Sequence, residues 1–311
     1  MSLKDIRLSV IIIARNEEER IGTCIDSLSF ADEVVVADNG STDETVKIAV
    51  KKRAVVSTYK TSDFAKLRNN AAKAVSGNWI LYVDADEVVS PTLATNILEH
   101  ISSNTFSGYE LFRKNYYLGK LWPTGEWKLR LFRKEALKKW FGALHESPAI
   151  EGVIGRIEGD LLHDTHRTLA EMVAKTNEWS ETEAILRLEA NHPPVTWWRI
   201  LRMILTGFWD SYIKQGGWRV GTVGVIESMY QGFSMFVTYA KLWEMQDKSQ
   251  PSNVKSNEKG IFSIVADRNN PYRLVGICLS LLGEGARSVP FPVPGDVFCS
   301  VEFTLRYACQ K

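Results

Sequence analysis

The sequence predicts an α/β fold: a mostly parallel sheet with flanking helices, followed by a helical C-terminal region. Three observations carry that prediction. Apolar, β-favouring runs alternate with helically spaced segments through the first hundred or so residues, the pattern of strands joined by crossover helices. The first run, Leu8-Ser9-Val10-Ile11-Ile12-Ile13-Ala14, is mostly β-branched, as suits a strand buried on both faces. Polar clusters then follow three of the runs, at the edge where open α/β sheets bind ligands.

Taken in order, the first strand ends in Arg15-Asn16-Glu17-Glu18-Glu19-Arg20, after which Ile21, Cys24, Ile25 and Leu28 recur at helical spacing. Glu33-Val34-Val35-Val36-Ala37-Asp38 is a second strand. Asn39-Gly40-Ser41-Thr42-Asp43-Glu44 is a turn and helix start, where Ser41 and Glu44 fit a capping box. Residues 54–59 form a third, weaker strand, and 64–75 a helix with Lys66 and Arg68 near its start. Trp79-Ile80-Leu81-Tyr82-Val83 then runs into Asp84-Ala85-Asp86-Glu87, before a helix over about 91–101 that Ser90-Pro91 announces.

Buried carboxylates are costly, so Asp84 and Asp86 belong just past the strand end. Alternate positions of an extended segment point the same way. Such a pair can hold a hard divalent cation, which in turn holds a diphosphate. The ordinary reading is an aspartate starting the next helix, and for an isolated Asp-x-Asp it is the better one. The neighbouring clusters reverse that preference. Asp38 can accept hydrogen bonds from a ribose or base, although a turn aspartate bonds its own backbone in the same way. Glu17 suits a helix N-terminus. Lys66 and Arg68 offer charge to phosphate, or simply face solvent. No Gly-x-Gly-x-x-Gly or Gly-x-x-x-x-Gly-Lys-Ser/Thr is present, which argues against dehydrogenase and P-loop chemistry.

The 311 residues, 45% hydrophobic, allow one large domain or two small ones. A net charge of +1 gives no reason to invoke nucleic acid. Four scattered cysteines point to a reducing compartment. The N-terminus enters a strand pattern without a signal peptide, and no apolar run of about eighteen residues reads as a membrane span.

Four motifs in order, Ile11-Ile12-Ile13-Ala14-Arg15-Asn16-Glu17, Asp38-Asn39-Gly40-Ser41-Thr42-Asp43-Glu44-Thr45, Arg68-Asn69 with Gly77, and Asp84-Ala85-Asp86, resemble the family 2 glycosyltransferases over about residues 6–105. That resemblance implies a GT-A fold, Rossmann-like in its sheet, and a nucleotide-diphosphate sugar donor. It places Ala14, Arg15, Glu17, Asp38, Lys66, Arg68, Asp84 and Ala85 against the nucleotide sugar. It assigns a Mg2+ or Mn2+ ion to Asp84 and Asp86, with a later histidine, His163, completing the metal shell and His166 as the fallback. For His163 in Leu161-Leu162-His163-Asp164, taken by itself, a satisfied structural histidine is the better reading. Ala143-Leu144-His145-Glu146-Ser147-Pro148 lies where the family places its base. The pattern resembles the branch of glucosyltransferases that build the lipopolysaccharide inner core, with Glu146 as base and His145 beside it; an ordinary charge at a strand edge is the alternative.

Residues 108–113 and 128–133 alternate as half-buried strands do. Trp122-Pro123-Thr124-Gly125-Glu126-Trp127 reads as an aromatic loop. The catalytic domain is expected over 1–167 and a helical region over 168–245. Within the latter, Trp197, Ile200, Leu201, Ile204, Phe208 and Trp209 form a broad apolar face beside Arg199 and Arg202. That face suits a membrane interface; a core helix or a contact with a second copy of the chain is the alternative. Residues 246–311 read as a linker and a tail of unknown role.

The function expected is an inverting, metal-dependent hexosyltransferase. It would move a hexose such as glucose from a nucleotide-diphosphate sugar to a hydroxyl of a lipopolysaccharide-core or related glycolipid, in the cytoplasm at the inner face of the membrane. Polysaccharide or protein acceptors, a nucleotidyltransferase, and a non-catalytic nucleotide-sugar or membrane-binding protein are the rivals.

Overall fold

The computed structural model describes residues 8–103, 105–142, 146–249, 262–267 and 270–279. The chain divides into two compact units, Met1–Ser249 and Gln250–Lys311.

In the first unit strand and helix alternate: β1 Leu8–Ala14, α1 Ile21–Asp26, β2 Glu33–Asp38, α2 Thr45–Lys51, β3 Val55–Thr58, α3 Phe64–Ala74, β4 Trp79–Asp84, β5 Glu87–Val89 and α4 Pro91–Ser103. Long strands follow, β6 Gly108–Tyr117 and β7 Lys120–Arg133, then the hairpin of β8 Leu137–Phe141 and β9 Ser147–Ile150, then β10 Ile154–His166. Eight strands make one sheet in the order β3-β2-β1-β4-β7-β6-β10-β5. The pairs among β3, β2, β1 and β4 are parallel, and β7 runs antiparallel to both β4 and β6.

The hydrophobic pattern explains why β1 is central. Val10, Ile12 and Ala14 enter one core layer with α1 and α4, while Ile11 enters the opposite layer with α3. A strand with helices on both sides is apolar at nearly every position, as the run 8–14 is except at Ser9, whose buried hydroxyl accepts from Gly77 N–H (2.8 Å). Truncating Ile11, which is fully buried, to alanine would cost about 2–5 kcal/mol.

Several local expectations differ from the outcome. The capping box at Ser41 and Glu44 does not form: α2 starts at Thr45, whose N–H is met by Asp43 (3.0 Å), while Ser41 turns to the Asn16 N–H (2.9 Å). Residues 122–127 are not a loop but part of β7, with Trp122 buried edge-on against Tyr117. Between Asp86 and α4 the chain adds β5, antiparallel to β10. Strand β10 bulges between Ile157 and Asp160, where Gly159 has φ +116 and a Cβ would lie 2.7 Å from the Leu93 backbone. Glycine is required there by both conformation and space.

Three helices complete this unit: α5 Leu169–Glu189, α6 Trp197–Trp209 and α7 Thr222–Ser249. Thr168 caps α5 by accepting from Glu171 N–H (3.2 Å). A π turn over Asp210–Lys214 and a 3₁₀ turn over Gly217–Val220 join α6 to α7. Gly207 and Gly232 let the two helices approach closely, since a Cβ on either would lie within 3.0 Å of a backbone oxygen of the other helix. The helix α7 runs on to Ser249, past the linker start expected at 246. In the second unit β11 Phe262–Asp267 and β12 Asn270–Leu279 pair as an antiparallel hairpin.

Candidate active site

Parallel strands that end level bring their tips together. The register sets Ile13 opposite Asp84 and Ala14 opposite Asp38. Ala85 N–H donates to Ile13 O (3.1 Å), and Asn39 N–H to Ala14 O (2.8 Å). Ala14, Asp38, Asp84 and Ala85 therefore lie along one sheet edge.

The loops beyond β1 and β2 are tied to each other. Asn16, at φ 55, donates its N–H to Ser41 Oγ and accepts from Thr42 N–H (2.8 Å). Glu17 N–H donates to Thr45 Oγ1 (2.8 Å). Asp38 accepts from the N–H groups of Gly40 and Ser41, each at 3.2 Å, and is 1% exposed. It thus makes the turn contacts that its ordinary reading demands, with lone pairs to spare. Arg15 reaches outward to Glu178 (2.9 Å), and Lys66 is exposed on the first turn of α3. Those two are the most peripheral of the sequence candidates.

Asp84 sits between two guanidinium groups. Arg68 Nη2 donates to Oδ1 (2.9 Å) and Arg130 Nη2 to Oδ2 (2.5 Å). Arg68 also donates through Nε to Glu146 Oε1 (2.8 Å), beneath the Trp140 ring. Glu87, fully buried, accepts from Asp84 N–H (2.9 Å) and meets Arg113 (3.2 Å) and Arg130 (3.3 Å). Burial acts to raise the Asp84 carboxyl, but Arg130 and Arg68 outweigh it and hold the group far below the usual carboxylate range.

Asp86 faces another way. Its Oδ2 is 3.4 Å from His163 Nε2 and 3.7 Å from Arg20 Nη1. His163 lies in register with Asn115 on β6 and Glu87 on β5, and its Nδ1 is 2.8 Å from Asn115 Oδ1. That contact holds the ring by Nδ1 and turns Nε2 toward Asp86, the orientation from which the imidazole could serve a cation shared with that carboxylate. Arg20 joins Asp86 to Glu17 (3.4 Å) and to Glu171 on α5 (3.0 Å). Burial pushes the Glu17 carboxyl up to about 7, against Arg20 and with help from Asp86.

Arg20, Arg68, Arg113 and Arg130 touch Glu17, Asp84, Asp86, Glu87, Glu126, Glu146 and Glu171, and Lys128 also meets Glu126. Five cations meet seven carboxylates in this network, and Lys175 adds positive charge near Glu17 and Asp86. No group of three or more His, Cys, Asp or Glu among the described residues is preassembled around a metal. The fit is instead a two-residue one, Asp86 and His163, with Asp84 taken up by its arginines. Such a set suits Mg2+ or Mn2+, which keep water and substrate phosphate as their other ligands. His166 is directed elsewhere, to Glu227 on α7 (3.1 Å). His145 lies outside the described residues.

Sequence reasoning missed Arg20, Glu87, Arg113 and Arg130. The available signal was the third carboxylate of Asp84-Ala85-Asp86-Glu87: a fully buried glutamate demands cationic partners from neighbouring strands.

Residues 9–150 match the family described as glycosyl transferase family 2. The chain is 29% identical over 269 residues to the lipopolysaccharide core biosynthesis glycosyltransferase LpsC of Rhizobium meliloti, across 79% of this chain and 96% of that protein. It is 26% identical to an uncharacterized glycosyltransferase of Rickettsia bellii, across 83% of this chain and 93% of that one. A distant likeness is to the crystal structure of S. aureus TarS 1–349 in complex with UDP-GlcNAc, with TM-score 0.42 and 16% identity over 84% of this chain and 95% of the other. With the ordered motifs and the sheet order, the match marks residues 9–150 as a glycosyl transferase family 2 domain, in a chain that is similar to LpsC along most of its length.

Proposed function

We propose that the chain is an inverting, metal-dependent hexosyltransferase that moves a hexose from a nucleotide-diphosphate sugar to a hydroxyl of a lipopolysaccharide-core or related glycolipid. The observation that carries this reading is the meeting of Asp38, Arg68, Asp84 and the Asp86–His163 pair at one sheet edge. The glycolipid acceptor rests on the likeness to LpsC along most of both chains.

In this reading Glu17 and Asp38 meet the nucleoside, and Arg68, Arg15 and Lys66 present positive charge to the donor. Asp86 and His163 hold Mg2+ or Mn2+, with Asp84 behind them as the anchor of Arg68 and Arg130. When bound, that cation supplies charge to a departing diphosphate. Glu146 takes the proton of the acceptor hydroxyl as its oxygen bonds to the anomeric carbon and the bond from that carbon to the diphosphate breaks. Arg68 donates to Glu146 Oε1 and so fixes the carboxylate in place. Donor and lipid-borne acceptor meet at the inner face of the cytoplasmic membrane.

A screen of nucleotide-sugar donors for UDP or GDP release, with Mn2+ against chelator, tests the reading. Turnover that needs the cation and is lost in Asp86→Asn supports it. Tight UDP binding with no turnover on glycolipid, polysaccharide or protein acceptors, and no response to Asp86→Asn, would leave only a binding protein of the same fold.

A further inference from the structure

We propose that α6 and the two short turns after it form a docking ridge that lies flat in the headgroup region of an anionic bilayer. The proposal deepens the reading of a lipid-borne acceptor and rests on it for its purpose, but its measurement needs neither donor nor acceptor.

The ridge is built by position. Trp197, Leu201, Leu205, Trp209 and Ile213 recur at every fourth residue and are 75, 51, 68, 55 and 40% exposed. No residue of α6 is buried. Its other side is already taken: Ile200 and Met203 pack on the cluster of Ala184, Tyr239 and Leu242, and Gly207 and Ile204 abut α7. The outer stripe therefore has no partner among the described residues, and a contiguous apolar patch of this kind marks an interaction site. Among the described residues no helix is long and apolar enough to cross a membrane, so the stripe can lie on a bilayer but not span it.

Chemistry selects lipid as the occupant. Arg199 and Arg202 stack over the half-exposed Trp198 (5.6 and 5.8 Å), and Arg219 stacks over the exposed Trp218 in the 3₁₀ turn (5.0 Å). Between 197 and 220 four cations, Arg199, Arg202, Lys214 and Arg219, face a single carboxylate, Asp210, which Lys214 already pairs (2.6 Å). Tryptophan is favoured where one part of a ring is apolar and another wet, and arginine beside it meets anionic headgroups. A second protein surface would need acidic groups to match the arginines. On this chain the apolar stripe is itself flanked by arginines, so a two-fold self-contact would oppose like charges.

Flotation of the full chain with vesicles tests the ridge. Phosphatidylcholine vesicles are compared with ones containing about 30% phosphatidylglycerol. The wild type is expected to float with the anionic vesicles, and more weakly with the neutral ones. Trp197→Ser/Leu205→Ser/Trp209→Ser and Arg199→Glu/Arg202→Glu should each lower the partition constant at least about tenfold. Donor-sugar hydrolysis in solution should stay unchanged, because none of these residues belongs to the catalytic edge. Loss of hydrolysis in the wild type would sink the enzyme reading and leave the docking result standing. Absence of vesicle binding by the wild type, or equal binding by wild type and both variants, would overturn the docking surface. So would a wild-type dimer that the apolar variant converts to monomer without any lipid binding. If the apolar variant fails to fold, the arginine variant, which keeps the stripe, separates the same outcomes.

Discussion

Replacing Arg130 by methionine keeps a long side chain and removes the charge that holds Asp84 and Glu87. In the wild type each carboxylate has two guanidinium partners: Arg130 and Arg68 for Asp84, Arg130 and Arg113 for Glu87. The variant leaves each with one. Removing one member of a buried ion pair costs roughly 3–5 kcal/mol; because a second arginine remains in both cases, the lower end, about 3 kcal/mol, is the expected loss. The pH dependence follows from Asp84, whose carboxyl is depressed in the folded chain. A depressed acid adds stability above its unfolded pKa, about 3.9, and loses it as pH falls through the folded value. The difference between wild type and Arg130→Met is therefore fully present near neutrality and shrinks below about pH 4. Urea unfolding followed by circular dichroism at both pH values measures it. The double variant with Asp84→Asn should cost less than the two single changes together, by roughly 1–3 kcal/mol. A loss below about 1 kcal/mol near neutrality, an equal loss in acid, or additivity within about 0.5 kcal/mol would refute the network as described.

Other expectations are more local. Asp86→Asn or His163→Ala should reduce donor turnover at least about a hundredfold and weaken Mn2+-dependent UDP binding in calorimetry; unchanged cation dependence in both would remove them as ligands. Glu146→Gln should lower kcat by about two to four orders of magnitude with little change in donor KM. A rise in donor KM alone would make Glu146 a positioning residue for Arg68. Glu17 has a raised folded pKa, so its ionisation costs stability as pH rises from about 4.5 to about 7. Glu17→Gln should accordingly stabilise the unliganded chain at pH 8 by up to about 3 kcal/mol and have no such effect at pH 4, as thermal melts would show. Gly159→Ala should destabilise by at least about 2 kcal/mol, since its Cβ would press on the Leu93 backbone; a neutral result in urea would show that the bulge can relax.

Much of the fold was legible because parallel strands buried on both faces leave nearly continuous apolar runs. The runs at 8–14 and 33–38 became β1 and β2 at those bounds, and the run at 79–83 became β4, which takes in Asp84 as its last residue. Asp38, Asp84 and Ala85 could be placed on one edge because strand ends mark it. Strand β5 could not, since three residues between a polar cluster and a helix carry no period. The arginine network was hidden for a related reason: Arg113 and Arg130 sit on alternating strands, where a charge ordinarily means the solvent face. Only the pairing of β7 with β4 and β6 turns Arg130 inward. Trp122 misled in the opposite sense, its Pro-Thr-Gly sequel signalling a loop where the chain continues as a strand.

The place of β10 in the sheet has a consequence for how such enzymes can be divided. The family match ends at residue 150, yet β10, residues 154–166, fills the slot between β6 and β5. A chain cut at 150 would strip β5 of its antiparallel neighbour and leave most of one flank of β6 open, edges prone to pairing with other molecules. The same strand carries His163 toward Asp86 and His166 toward Glu227 on α7. Inheritance of the sheet and of the helical half is thereby linked. The helices could not be exchanged in evolution without bringing along, or refitting, the strand that reaches both Asp86 and Glu227.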